Sequence, residues 1–154
     1  EWARGVTTTY NYDTCCGALT DITYSDNTPS VTFAYDRLGR KKTITQSSTG
    51  VPPVTHTFAY NETLQLTTET IESSTGVSPV TNIITRTYDT LGRSSGFDLN
   101  RDYNIDYGYD NQGHFNLVTS SLRGSTNAFE YSYLQNSSLI ESVSNSVGLV
   151  ALRE

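Results

Sequence analysis

Few residues in this chain could do chemistry. The densest set is DLNRDYNID, where Asp98, Asn100, Asp102, Asn104 and Asp106 stand at every second place. Oxygen ligands at its first, third and fifth places are how a calcium loop begins, which makes Asp98, Asn100 and Asp102 the metal candidates. Such a loop also needs Gly at its sixth place and Glu at its twelfth. Tyr103 and Tyr109 stand there instead. The expectation is no metal, and the alternation reads as the polar face of a strand. Leu99, Tyr103, Ile105, Tyr107 and Tyr109 make its other face.

The remaining reactive side chains point the same way. His56, in VTHTFAY, shares a strand face with Phe58 and Tyr60, which predicts a packing role. The only other histidine is His114. No GxSxG, HExxH or phosphate-cradling Gly-rich loop is present. Cys15 and Cys16 are neighbours, and disulfide geometry disfavours closing a ring between neighbours. Nor are they spaced as a metal site or a CxxC redox pair. They read as two free or partly buried thiols, with a vicinal disulfide or a link to another chain as the alternatives. The sequence therefore predicts no enzyme and no cofactor.

The elements that carry these residues are strands. Of 154 residues, 24 are Thr, 18 Ser and 11 Tyr, a composition that suits pleated surfaces and turns and starves helices. The fold class expected is all-β. A net charge of -6 from 16 acidic and 10 basic residues argues against a nucleic-acid surface, which needs clustered Lys and Arg. No apolar run approaches the roughly 18 residues of a membrane helix. The chain opens at Glu1 with no charged-then-apolar leader, so it is expected to be a mature or excised piece of a longer product.

A repeat organises the whole length. TFAYDRLGRKKTI at 32–44 returns as TRTYDTLGRSS at 85–95. Anchors of this kind are Tyr12-Asp13, Tyr35-Asp36, Tyr60-Asn61, Tyr88-Asp89, Tyr109-Asp110 and Tyr133-Leu134, at intervals of 23, 25, 28, 21 and 24 residues. Two places before each anchor stands Tyr10, Phe33, Phe58, Arg86, Tyr107 or Tyr131, so five of six units set an aromatic-x-Tyr pair on one strand face. Gly39, Gly92 and Gly113 follow four places after their tyrosines, where a turn needs positive φ, and the Asp after each Tyr suits an Asx-turn. Gly17 follows one place later, so the first turn is altered. Units three and six lack the glycine, which predicts looser or longer turns there. Hairpin tips are expected at 25–30, 47–54, 73–80, 98–102 and 123–127. The expectation is about six β-hairpins in one array over 1–154, with no separate catalytic domain.

This pattern resembles the YD repeat of the RHS-repeat family. Tyr35, Asp36, Gly39 and Arg40 carry the resemblance, as do Tyr88, Asp89, Gly92 and Arg93. Tyr109, Asp110 and Gly113 match too, with His114 in the arginine place. The resemblance implies hairpins forming a spiralling sheet, open barrel or shell segment. It also implies a structural part of a large secreted or cell-surface bacterial protein, a scaffold rather than a catalyst. The family's self-cleaving core is absent from this chain. Two other readings stay open. One is a self-assembling fibre subunit joined through its terminal strands, because the uncharged strand at 5–10 does not resemble a cap and the apolar 146–152 has no partner in the chain. The other is a glycan-binding module using exposed aromatics such as Tyr24 or Tyr103. Expected partners are neighbouring repeats, copies of the chain, or glycans, in an extracellular or cell-surface setting. Asn61 and Asn136 head N-x-Ser/Thr triplets and are candidate glycosylation sites.

Overall fold

Runs rich in Thr, Tyr, Val and Ile, broken every few residues by Gly, Asn or Asp, leave the backbone one economical arrangement: short antiparallel strands joined by tight turns. A computed structural model of the chain describes residues 5–73 and 79–152 and shows this arrangement throughout. The chain is all-β. It divides into two compact units, 1–83 and 84–154.

In the first unit β1 (Thr8–Tyr12), β2 (Leu19–Tyr24), β3 (Ser30–Tyr35), β4 (Lys41–Ser48), β5 (Val51–Tyr60) and β6 (Leu66–Ser73) pair antiparallel, each with the next. β7 (Val80–Tyr88) begins in the first unit and runs into the second. There it pairs with β8 (Ser94–Leu99), and β9 (Tyr103–Tyr109), β10 (Phe115–Leu122), β11 (Ser125–Tyr133), β12 (Ile140–Asn145) and β13 (Gly148–Leu152) follow in the same antiparallel order.

The apolar run at 146–152 corrects one expectation. It was read as a strand without a partner, yet Ser146 and Val147 form a turn and β13 pairs back on β12. The tips also differ in length from the reading. Between β4 and β5 only Thr49 and Gly50 turn the chain, and Leu122–Ser125 turns on Arg123 and Gly124 alone, both at positive φ. Two-residue turns of that hand match the twist of the flanking strands, so the strands extend into what looked like loop. The tip expected at 73–80 falls largely on 74–78, outside the described residues.

No hydrophobic side chain among the described residues is fully buried. One face is nevertheless more covered than the other. In β3, Val31, Phe33 and Tyr35 are half-buried while Thr32 and Ala34 are exposed, and in β5 Phe58 and Tyr60 alternate with exposed Thr57 and Ala59. Tyr35, Tyr88 and Tyr109, the anchors on that face, are half-buried. Rings in a single sheet are covered only by lateral neighbours. In the second unit Phe115 does this best, lying 5.6 Å from Tyr107, 5.9 Å from Tyr109 and 5.4 Å from Tyr131 between ring centres. Gly96 is the buried residue at the tightest approach: a Cβ there would run into the Ile105 carbonyl oxygen.

The turn after each anchor is the recurring local structure. Gly39, Gly92 and Gly113 sit at φ 77°, 78° and 89°. Unit three overturns the expectation of a looser turn. Leu64 takes the glycine's place at φ 69°, and the bonds are the same: Asn61 N to the Gln65 carbonyl and Leu64 N to the Asn61 carbonyl, as Asp36 N to Arg40 and Gly39 N to Asp36. The first and last turns are one residue longer, closing from Asp13 to Ala18 and from Leu134 to Leu139.

Two substitutions test the turn. Gly39→Val is expected to cost ~1–3 kcal/mol, all of it backbone, because nothing lies within 4 Å of a Cβ at that site. Leu64→Gly is expected to be neutral or to stabilise by up to about 1 kcal/mol, since it relieves the left-handed backbone of a side chain that is 58% exposed. Denaturant unfolding of both variants checks the pair, and a loss above about 1 kcal/mol in Leu64→Gly contradicts the assignment.

Candidate functional site

The candidate site is the bulge and turn at each anchor tyrosine, and it occurs six times among the described residues. Just before every anchor tyrosine the strand register slips by one residue. Asn11 faces Asp21 but Tyr12 faces Leu19. Ala34 faces Thr43 but Tyr35 faces Lys41. Ala59 faces Thr68 but Tyr60 faces Leu66. In the second unit Tyr88 faces Ser94, Tyr109 faces Phe115 and Tyr133 faces Ile140 after the same slip. Each slip is a β-bulge whose extra residue is polar: Thr20, Lys42, Thr67, Ser95, Asn116 or Glu141. A bulge disturbs the ladder and bends the strand that carries it. Two of these hydroxyls reach back across the slip, Thr20 to the Asn11 carbonyl at 3.1 Å and Thr67 to the Ala59 carbonyl at 3.2 Å.

Beyond four of these bulges the next residue offers its carbonyl to the following repeat. The hydroxyl of Tyr35 donates to Leu19 O at 2.9 Å, that of Tyr60 to Lys41 O at 2.9 Å and that of Tyr109 to Ser94 O at 2.8 Å. Tyr133 donates to Phe115 O in the same way. The aromatic ring covers a neighbouring strand and its hydroxyl finds the acceptor it needs.

The Gly-Arg half of the motif completes the junction. Asp36 Oδ1 accepts the N–H of Leu38 at 2.9 Å and of Arg40 at 3.0 Å, while Oδ2 takes Arg40 Nε at 2.7 Å. The held guanidinium lies 4.2 Å from the centre of the Tyr60 ring, one repeat later. Arg40 Nη1 is buried with no hydrogen-bond acceptor, so the π face is what compensates it. Asp89, Leu91 and Arg93 repeat the arrangement, with the guanidinium 4.0 Å from the Tyr109 ring. At the next junction His114 Nδ1 lies 3.1 Å from Asp110 Oδ2, and its ring stacks on Tyr133 with centres 4.7 Å apart.

Burial pulls the pKa of Asp36 and Asp89 upward. The arginine side chain, two backbone N–H groups and the guanidinium charge outweigh it and leave both below the ordinary 3.8. Asp110 is lowered likewise against burial, by the His114 backbone and ring and the Gln112 N–H.

The other residues singled out by the sequence lie apart from this. Asp98 Oδ1 caps the β8–β9 turn by accepting Arg101 N at 2.8 Å, and Asp102 N donates to Leu99 O at 3.0 Å. Asn104 bonds Asp106 at 2.8 Å. His56 Nδ1 is 3.6 Å from Glu69 Oε1 on the sheet face. Tyr24 and Tyr103 are half-buried, Tyr103 edge-on to Phe97 at 6.2 Å. Among the described residues Tyr10 and Tyr12 are the most exposed rings, at 53% and 59%, and Phe129 is exposed as well. Asn61 is committed to its turn, its amide donating to Gln65 Oε1 at 3.1 Å and accepting Gln65 N at 2.9 Å, whereas Asn136 is exposed. Cys15 and Cys16 are free and exposed, beside Asp13. The hydrogen bond from the Cys15 thiol to Asp13 pushes that thiol up to about 11.

No family profile and no curated protein matches the chain. Among solved structures it is similar to the crystal structure of TcdB2-TccC3-Cdc42, at 15% identity and a TM-score of 0.49 over 97% of this chain. It is also similar to that of TcdB2-TccC3-TEV, at 13% identity and a TM-score of 0.29 over 94%. The chain spans 9% and 12% of the length of those two chains.

The junction makes two measurable claims. A double-mutant cycle of Arg40→Ala with Tyr60→Leu is expected to give a coupling of about 0.5–1 kcal/mol, the scale of a partly exposed cation–π pair, and Arg37→Ala with Tyr60→Leu to give none. The second concerns acid. Because the carboxylates sit lower in the folded chain than in the unfolded one, their contribution is complete above the ordinary 3.8 and is lost as pH falls below it. Asp36→Asn, Asp89→Asn and Asp110→Asn combined keep the turn acceptor and remove the charge. The variant's unfolding midpoint is expected to change less than the parent's below that pH.

Proposed function

We propose that the chain is a scaffold segment of YD-repeat type. The observation that carries this is the junction itself: Tyr, Asp and Arg, the side chains that recur, are consumed in binding one repeat to the next. The histidine at that position is bound in the same way. The clefts at 26–49 and 110–138 are open and lined mostly by polar side chains. The chain serves as a length of sheet in a large secreted or cell-surface bacterial protein, where it spans and holds other parts.

Its partners are further repeats, or copies of the chain, meeting the outer edges of β1 and β13. No strand among the described residues pairs with either edge. β13 carries exposed Val150 and Leu152. A continued array would cover those edges, which otherwise expose a row of backbone donors and acceptors.

The test is to lengthen the chain. One more repeat, copied from residues 110–133 with its following strand, is fused after Leu152. In a scaffold held by nearest-neighbour junctions, the added repeat is expected to fold on β13, raise the unfolding midpoint and increase the denaturant dependence in proportion to length. An added repeat whose amides exchange as an unfolded tail, with an unchanged midpoint, overturns the reading.

A further inference from the structure

Each junction has two side-chain slots, the one after the anchor tyrosine and the one that closes the turn. Aligned by their backbone bonds, the pairs are Asp13 with Ala18, Asp36 with Arg40, Asn61 with Gln65, Asp89 with Arg93, Asp110 with His114 and Leu134 with Leu139. Five of the six are matched in kind: acid with a cationic or imidazole ring, amide with amide, apolar with apolar. The first is not. Asp13 keeps the carboxylate that Arg40 and Arg93 neutralise elsewhere, and Ala18 supplies nothing to meet it.

Tyr35 still makes the inter-repeat bond of this junction, to Leu19 O, so the ring is in place without a guanidinium upon it. An open cleft of about 540 Å³ occupies the gap, lined by Asp13, Cys15, Cys16, Ala18 and Tyr35 among others. Asp13 Oδ1 is already engaged, accepting Cys15 N at 2.7 Å. The longer turn is what inserts the two cysteines, and it brings one carboxylate oxygen and both Sγ atoms within 4.8 Å of one another. Two sulfurs and an oxygen so placed need only small side-chain rotations to meet one tetrahedral ion, whose metal–sulfur bonds are about 2.3 Å.

We propose that Asp13, Cys15 and Cys16 bind a single thiophilic metal ion of the zinc class, which takes the place of the absent guanidinium beneath Tyr35. The two thiols bind as thiolates and release their protons to solvent, and no electron is transferred. Soft sulfur donors favour zinc, cadmium or cuprous ions over calcium or magnesium, and the fourth position is left to water. The cysteines lack the spacing of a metal site in the sequence, and it is the fold of the turn that gathers both sulfurs with Asp13 within 4.8 Å.

Cadmium tests this in the fully reduced chain. A sulfur-to-cadmium charge-transfer band is expected to saturate at one ion per chain and to be competed away by zinc but not by magnesium. Cys15→Ser and Cys16→Ser, both exposed and harmless to the fold, are each expected to abolish it. Asp13→Asn is expected to weaken binding on the order of tenfold or more. Ala18→Arg places a guanidinium against Asp13 and is expected to weaken cadmium similarly while leaving both thiols intact. A parent without the band, a band that survives Cys16→Ser, full saturation at one ion per two chains, or an Ala18→Arg chain that binds as the parent does would each overturn the proposal.

Discussion

The hydrogen bond from an anchor tyrosine to the carbonyl beyond the preceding bulge is what the rest of this structure depends on. A lone antiparallel sheet has no second layer, so the usual driving force of a covered core is missing. What remains is lateral: ring against ring, ring against guanidinium, hydroxyl against carbonyl. Each is small, and each becomes useful because it recurs along the chain. The bulge loosens the ladder at one point, and the tyrosine of the next repeat closes it again. A tyrosine is needed for this, since phenylalanine could cover the strand but would leave the carbonyl without that donor.

The Asp–Gly–Arg turn is subordinate to that bond and makes it possible. Gly39 or Gly92 lets the backbone turn left-handed, the aspartate fixes the turn from inside, and the same aspartate's second oxygen aims the arginine. One carboxylate thus sets both the local conformation and the contact with the following repeat. Unit three shows that the geometry, not the residue types, is what must be kept. Asn61, Leu64 and Gln65 reproduce every backbone bond of the turn with amides in place of charges. The matched exchange of both slots at once follows from their contact: an acid alone at that point would lack a counter-charge.

Strand order, the six anchors and the turn glycines were legible in the sequence because each is a local property. Alternation marks the faces, and Gly or Asp marks the turns. The bulges were not legible, since a register slip belongs to two strands and only their pairing reveals it. A signal existed all the same: the polar residue two places after Arg40 or Arg93 stands on what alternation assigns to the covered face. Leu64 was misread for a different reason. Propensity argues against leucine at positive φ, and the surrounding Asx geometry overrides it. The final run pairs with β12 through a two-residue turn at Ser146–Val147, which carries no Gly, Asn or Asp at its two turning residues to mark it in the sequence. Asp98, Asn100 and Asp102 formed a spacing pattern only, while the cluster that gathers, Asp13 with Cys15 and Cys16, has no spacing signature at all.

The bulges also act on errors. A strand displaced by one residue presents the wrong face along its whole length, and in a long meander such a fault would propagate to every later strand. Here each repeat ends in a site that only one alignment satisfies, because the tyrosine must reach one particular carbonyl. Differences in tip length, which make the anchor intervals range from 21 to 28 residues, are cancelled before the next hairpin begins. The chain therefore counts its strands from the nearest junction and not from its beginning, and insertions at a tip remain private to the hairpin that received them.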